Sequence, residues 1–380
     1  MHSEISKLAN PLRARELGLP LPGTPGPWNA ITDVPGVEVG FATLSRLSPP
    51  AGEPQVLTGV TAILPRGRQP RATPVWAGHC VFNGNGEMTG THWIRDAGYL
   101  QGPVCITNTH SVGIVHHAAV GWMIDQYPAE FRDTWGWAMP VVAETYDGVV
   151  NDICGRHVTE AHARAALDGA RSGPVPEGNV GGGAGMQTYG FKGGTGTSSR
   201  QISVAGHAHT IGVLVQSNFG ARPDLTVLGV PVGQHLTDDD LFTDLDRPET
   251  GSIIVVIATD APLSPLQLQR VARRGALGIG RTGTSGGHYS GDIMLAFSTA
   301  NAVEQPPLGS HQPYGMELTW LNDAHCDTVY AAVIQATEEA VLNALLAAET
   351  VPTRLPPGRR LVAIDAQALL GVLRAYGRLS

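Results

Sequence analysis

The segment Ser252-Ile253-Ile254-Val255-Val256-Ile257-Ala258-Thr259 constrains this chain more than any other. Its apolar residues run on without alternation and are mostly β-branched, so neither face is left for water. Such a run is a buried strand, which demands a layered fold. The approach to it has the opposite character. Arg247-Pro248-Glu249-Thr250-Gly251 is polar, is broken by proline, and ends on the least bulky residue. Ser252 therefore stands at the mouth of a buried strand, directly after a glycine. That arrangement suits self-cleavage. On that reading the Ser252 hydroxyl is expected to attack the Gly251 carbonyl, shift the acyl group from N to O and release a new N-terminus. Ser252 then carries its own general base, the freed α-amine, whose ordinary pKa is about 8. The plainer reading is a serine that only begins a strand, and spacing alone favours it.

Composition narrows the field. A chain of 380 residues buries a large core, and by length alone it suggests two or three domains. Hydrophobic residues at 42% and charged residues at 15% exclude a disordered chain. The 48 glycines cluster in a few loops, as tight turns and close backbone approaches require. A net charge of -8 and no basic stretch with interleaved aromatics argue against nucleic acid. No apolar run has membrane-spanning length, and Met1-His2-Ser3-Glu4-Ile5-Ser6-Lys7 lacks a hydrophobic signal core. Cys80, Cys105, Cys154 and Cys326 are widely spaced, without a Cys-x-x-Cys pair, which fits a reduced, cytoplasmic protein.

Residues 1 to about 30 read as an arm, because Leu19-Pro20-Leu21-Pro22-Gly23-Thr24-Pro25-Gly26-Pro27 forms neither helix nor central strand. Strands are predicted over 37–44, 59–64, 104–107 and 293–299, and 203–217 reads as mostly strand. Helices are predicted over 111–127, 158–170, 265 to about 275 and 322–348, with Ser264 as N-cap and Pro265 at the first position of the third. The acidic stretch 233–250 reads as a mobile surface loop. Two decoys are set aside. Gly283-Thr284-Ser285-Gly286-Gly287 matches a nucleophile elbow, but no strand precedes it and no helix follows. His116-His117 and His207-x-His209 lack the third ligand that a metal site needs, so no cofactor or metal is expected.

Several further motifs occur in a fixed order. They are Asn29-Ala30-Ile31-Thr32-Asp33-Val34-Pro35-Gly36, Thr107-Asn108-Thr109-His110-Ser111 and Glu144-Thr145-Tyr146-Asp147-Gly148. Gly178-Asn179-Val180-Gly181-Gly182-Gly183-Ala184-Gly185 and Phe191-Lys192-Gly193-Gly194-Thr195-Gly196 follow, then Val215-Gln216-Ser217-Asn218-Phe219-Gly220, the Gly251-Ser252 junction and Ser290-Gly291-Asp292-Ile293. Over about residues 28 to 345 the chain resembles the DmpA-type self-cleaving serine aminopeptidases. That family includes L-aminopeptidase/D-esterases and β-peptidyl aminopeptidases. The resemblance implies an α+β fold, a four-layer αββα sandwich shared with ornithine acetyltransferase-like proteins, as one compact unit. It also implies an α chain of residues 1–251, a β chain of residues 252–380, and a homotetramer of such αβ units.

Roles follow for the matching residues. Ser252 is the expected nucleophile. Asn218 carries an amide NH₂ after a strand and suits an oxyanion donor, against the plainer reading of a turn asparagine. Tyr146 is expected to donate to the same charge. Glu144, two residues earlier on an expected strand, suits the ammonium of a substrate with a free amine. Ser290 and Asp292 are expected to relay to Ser252, although aspartate is one methylene shorter than the glutamate this position can carry. Gly182 and Gly183 are expected to bring backbone N–H groups to the substrate. The reading is an aminopeptidase or amidase acting on small peptides, amides or esters. Two alternatives stay open: an acyltransferase of ornithine acetyltransferase type, and an idle binder of small amines.

Overall fold

A computed structural model describes residues 12–242, 251–302 and 314–379. In chain order the elements are β1 (Glu38–Arg46), β2 (Val56–Leu64), β3 (Val75–Val81), α1 (Thr91–Ala97), β4 (Tyr99–Leu100), β5 (Val104–Asn108), α2 (Val112–Gln126), α3 (Pro128–Phe131) and β6 (Val141–Thr145). Then come α4 (Glu160–Asp168), β7 (Gln187–Thr188), β8 (Phe191–Lys192), β9 (Gly194–Val204), β10 (His207–Asn218), β11 (Ser252–Thr259), α5 (Pro265–Gly280), β12 (Gly291–Ser298) and α6 (Cys326–Leu346). Two short strands, β13 (Val351–Pro352) and β14 (Arg360–Leu361), and α7 (Ala366–Ala375) close the chain.

The strands form a four-stranded sheet in the order β1-β2-β5-β6 and a six-stranded sheet in the order β4-β3-β12-β11-β10-β9. Side-chain alternation sorts the apolar residues into layers. Ile254, Val256 and Ala258 of β11 pack between the sheets with Ile63, Ile106 and Ala143. Their neighbours Ile253, Val255 and Ile257 pack outward with Leu268 and Val271 of α5 and Val333 and Ala336 of α6. On the other outer side, Val60, Ala62 and Val142 meet Val115 and Trp122 of α2 and Ala166 of α4. The expected αββα layering is therefore the fold. It also explains why β11 has no polar face: both of its faces are covered.

Residues 203–217 are mostly strand, as expected, and are divided between β9 and β10. Ala205 at φ 50 and Gly206 at φ 85 make a tight turn, and the glycine- and threonine-rich run before it is the paired strand β9. Helix α5 runs to Gly280, past the expected end at 275. Its cap is as expected, with Ser264 accepting from the Gln267 N–H at 3.3 Å. The N-terminal segment, in its described part, is tied down. Arg13 pairs with buried Glu177 at 2.7 Å, and Arg15 and Arg200 share buried Glu339 at 3.0 and 2.7 Å. Those buried carboxylates require cations, and the arm supplies two of them. Of the acidic stretch, residues 243–250 lie outside the described residues, while Leu241 just before them is buried beside Leu57 and Val150.

The candidate active site

Ser252 opens β11 and lies opposite Asn218 of β10 on one side and Gly291 of β12 on the other. The serine is only 4% exposed, yet its hydroxyl has no hydrogen-bond partner among the described residues. Gly251 is required by space. A Cβ there would sit 2.5 Å from both Asn218 O and Phe219 Cα. The Gly251 carbonyl accepts the N–H of Gly291 at 3.1 Å, so the peptide group before Ser252 is held in a fixed orientation and polarised.

Alternation places Ser252, Asn218 and Gln216 on the inter-sheet face, with Ile254 and Leu214. Gln216 fixes the gap between the sheets, because its Nε2 donates to Thr107 O at 2.9 Å and Thr145 Oγ1 at 2.8 Å. Asn218 Oδ1 accepts the N–H of Gln187 at 2.9 Å. That contact leaves the NH₂ end uncommitted among the described residues, the end an oxyanion needs.

Ser290 lies just before β12 and donates to Asp292 Oδ1 at 2.6 Å, so the shorter side chain still reaches it. Burial raises the Asp292 pKa, opposed by bonds from Ser290, Asn83 and the Ile253 N–H. No hydrogen bond joins Ser290 to Ser252 among the described residues. Glu144 is buried at the end of β6. Its Oε1 accepts the Glu87 N–H at 3.0 Å and its Oε2 accepts the Thr109 hydroxyl. Burial is the largest influence and raises its pKa. Gly86 links it to β12, the strand beside Ser252. A Cβ at Gly86 would lie 3.3 Å from Glu144 Oε1 and 3.4 Å from Gly291 Cα.

Two placements differ from expectation. Tyr146 is not on the strand with Glu144. The strand β6 ends at Thr145, where the turn at Asp147 begins, and Tyr146 is 45% exposed with its ring over Gly148. Gly182 does not offer its N–H, which is committed to Thr61 Oγ1 at 3.1 Å. Gly181–Gly185 is a buried 3-10 turn wedged between the sheets, where a Cβ on Gly182 would meet Ile106 O at 2.5 Å and one on Gly183 would meet the Thr195 nitrogen at 2.4 Å. These glycines are needed for close packing. Sequence reasoning gives no role to Thr109, Asn83 or Gly291. Thr109 and Gly291 lie inside quoted motifs, and Asn83 sits in the turn-rich run Asn83-Gly84-Asn85-Gly86, so glycine and asparagine density is the available signal. Among the described residues no group of three or more His, Cys, Asp or Glu side chains is placed to hold a metal ion, and no helix is long and apolar enough to cross a membrane.

Two stacked sheets between helical layers, with a serine opening a central strand beside an amide and carboxylates, define a hydrolase of the N-terminal-nucleophile class. The sequence pattern of peptidase family S58 matches residues 29–356, and the chain belongs to that family. It is 48% identical over 384 residues to beta-peptidyl aminopeptidase BapA of Sphingosinicella microcystinivorans, covering 97% of this chain and 93% of that protein. The L-aminopeptidase D-Ala-esterase/amidase from Ochrobactrum anthropi, a prototype serine aminopeptidase with a variant Ntn hydrolase fold, is similar with a TM-score of 0.91 at 54% identity, over 97% of this chain and 99% of that one. A β-aminopeptidase from a Burkholderia species gives a TM-score of 0.87 at 44% identity, over 96% and 99% of the two chains. The acyltransferase and idle-binder readings gain no support from these relatives.

Proposed function

We propose that this chain is an autoprocessed aminopeptidase and amidase that releases N-terminal residues from small peptides, amides or esters bearing a free amine. The observation that carries the reading is the Gly251–Ser252 junction, with its carbonyl held by Gly291 and its serine in register with Asn218. In processing, Ser252 Oγ bonds to the Gly251 carbonyl carbon and the C–N bond to Ser252 breaks. The hydroxyl proton passes to the departing nitrogen, and water then hydrolyses the ester. The products are a 1–251 chain ending in a carboxylate and a 252–380 chain beginning with a free amine.

In turnover that amine takes the proton of Ser252 Oγ as Oγ attacks the substrate carbonyl. Asn218 donates to the oxyanion, with Tyr146 as second donor from its exposed position beyond β6. The leaving amine receives the proton, and water releases the acyl group from Ser252. Glu144 holds the substrate ammonium, and Ser290 with Asp292 steadies Ser252. Gly182 and Gly183 shape the site through packing. By family resemblance the processed units are taken to form a homotetramer, and the four free cysteines fit a cytoplasmic setting. Mass photometry tests the assembly.

Intact-mass analysis tests the central claim. The purified protein is expected to give two chains, 1–251 and 252–380, and Ser252→Ala a single chain without activity. Normal splitting of that variant ends the proposal. Release assays with L-, D- and β-aminoacyl amides then fix the preferred residue.

A further inference from the structure

Residues 82–87 connect β3 towards α1; their Glu87 N–H holds Glu144, and they also grip the Ser290–Asp292 pair at several points. The Asn83 Nδ2 donates to Asp292 Oδ2 at 3.0 Å and to Gly287 O at 3.1 Å. The Asp292 N–H donates to Asn83 O at 3.0 Å, and the Phe82 N–H donates to Asp292 O at 2.9 Å. Asn85 Nδ2 donates to Tyr289 O at 2.6 Å. Each carboxylate oxygen of Asp292 thus has its own side-chain partner: Oδ1 takes Ser290 and Oδ2 takes Asn83.

A hydroxyl has one proton and two lone pairs. While Asp292 Oδ1 holds the Ser290 proton, Ser290 Oγ presents only lone pairs, the form that can accept from Ser252. A carboxylate that rotates or takes up a proton loses that control. We propose that Asn83 is a positioning residue which locks the Asp292 carboxylate so that Oδ1 remains the acceptor of the Ser290 proton. This rests on the reading of Ser290 and Asp292 as support for Ser252.

The test uses the processed enzyme and a free-amine substrate. A hydrogen bond to a charged acceptor is worth about 10- to 100-fold, so Asn83→Ala is expected to lower kcat by that factor. KM should stay within about twofold, because Glu144 lies on the far side of Gly86. Asn83→Asp supplies a readout that a merely structural role would not move. It places a second carboxylate beside Asp292, and such a pair shares one proton. The groups acting on Asp292 are otherwise the neutral Ser290 hydroxyl and the Ile253 N–H. His288 and Tyr289 precede Ser290 in the chain, and Glu144 stands across Gly86. At high pH two carboxylates repel, whereas at lower pH the shared proton restores an O–H donor to Asp292. The ratio of kcat for Asn83→Asp to wild type should therefore rise by about tenfold or more as pH falls from about 9 to about 6. Taking the ratio cancels the titration of the Ser252 amine. An unchanged kcat in Asn83→Ala, or a flat ratio for Asn83→Asp, overturns the proposal. Full activity in Ser290→Ala instead overturns the underlying site reading, which keeps the two failures apart.

Discussion

Glu144 shows how one side chain's surroundings set its chemistry. Two donors, the Thr109 hydroxyl and the Glu87 N–H, favour its charged form, but burial outweighs them and its pKa lies above the ordinary glutamate value. A carboxylate grips an ammonium only when ionised. As pH falls through the raised pKa, the proposed grip of Glu144 on the substrate ammonium is expected to be lost, at a higher pH than for an exposed glutamate. KM for free-amine substrates is expected to climb on the acid side, while kcat follows the Ser252 amine. Glu144→Gln should raise KM by about one to two decades and abolish that climb. N-acetylated substrates should be poor with wild type and little changed by the variant. Steady-state kinetics against pH with both substrate types checks this, and equal turnover of free and acetylated substrates would sink the clamp.

At the scale of elements, α5 carries Gly275, Gly278 and Gly280 in its second half, which is why its sequence reads as a shorter helix. Two of these serve packing. A Cβ on Gly278 would lie 2.5 Å from Thr337 Cβ of α6, and one on Gly275 would lie 2.9 Å from Met294 Cγ of β12. A Cβ on Gly280 would meet nothing within 4 Å. Glycine to alanine in a helix normally gains up to about 1 kcal/mol. Gly280→Ala should therefore be neutral or stabilising. Gly278→Ala should destabilise by about 1–3 kcal/mol, because overpacking outweighs propensity. Urea unfolding of both variants decides it, and a stabilised Gly278→Ala would show that α5 and α6 separate without cost. Tyr146 reads as a strand residue for a related reason. Alternation counted from Glu144 does not register the Asp147 turn that stops β6 one residue short.

For the whole molecule, the expected cleavage point falls in the middle of a sheet. The strands β11 and β12 follow residue 251, but they lie between β3 and β10, which precede it. Helix α6, also downstream, packs its Val333, Ala336 and Ala340 on the outer face of that sheet. The two chains of a cleaved enzyme therefore share ladders on both sides and one core. They should co-elute under native conditions and separate only in denaturant. Separation in plain buffer would show that the interleaved sheet does not survive processing.

The sequence alone determined the buried strand from Ser252, the glycine before it, the capped start of α5, the layered α and β class and the order of the family motifs. These are local properties, written in residue size, branching and periodicity. Tertiary structure decided the rest. It committed the Gly182 N–H to the Thr61 hydroxyl and packed Gly182 and Gly183 closely against the sheets, which come from distant parts of the chain. It brought Asn83 to Asp292 and Thr109 to Glu144, pairs separated by 209 and 35 positions. It also turned the arm into a source of buried cations for Glu177 and Glu339. A hydrogen bond between distant residues leaves no periodic trace, so only the fold that closes the loop between them can reveal it.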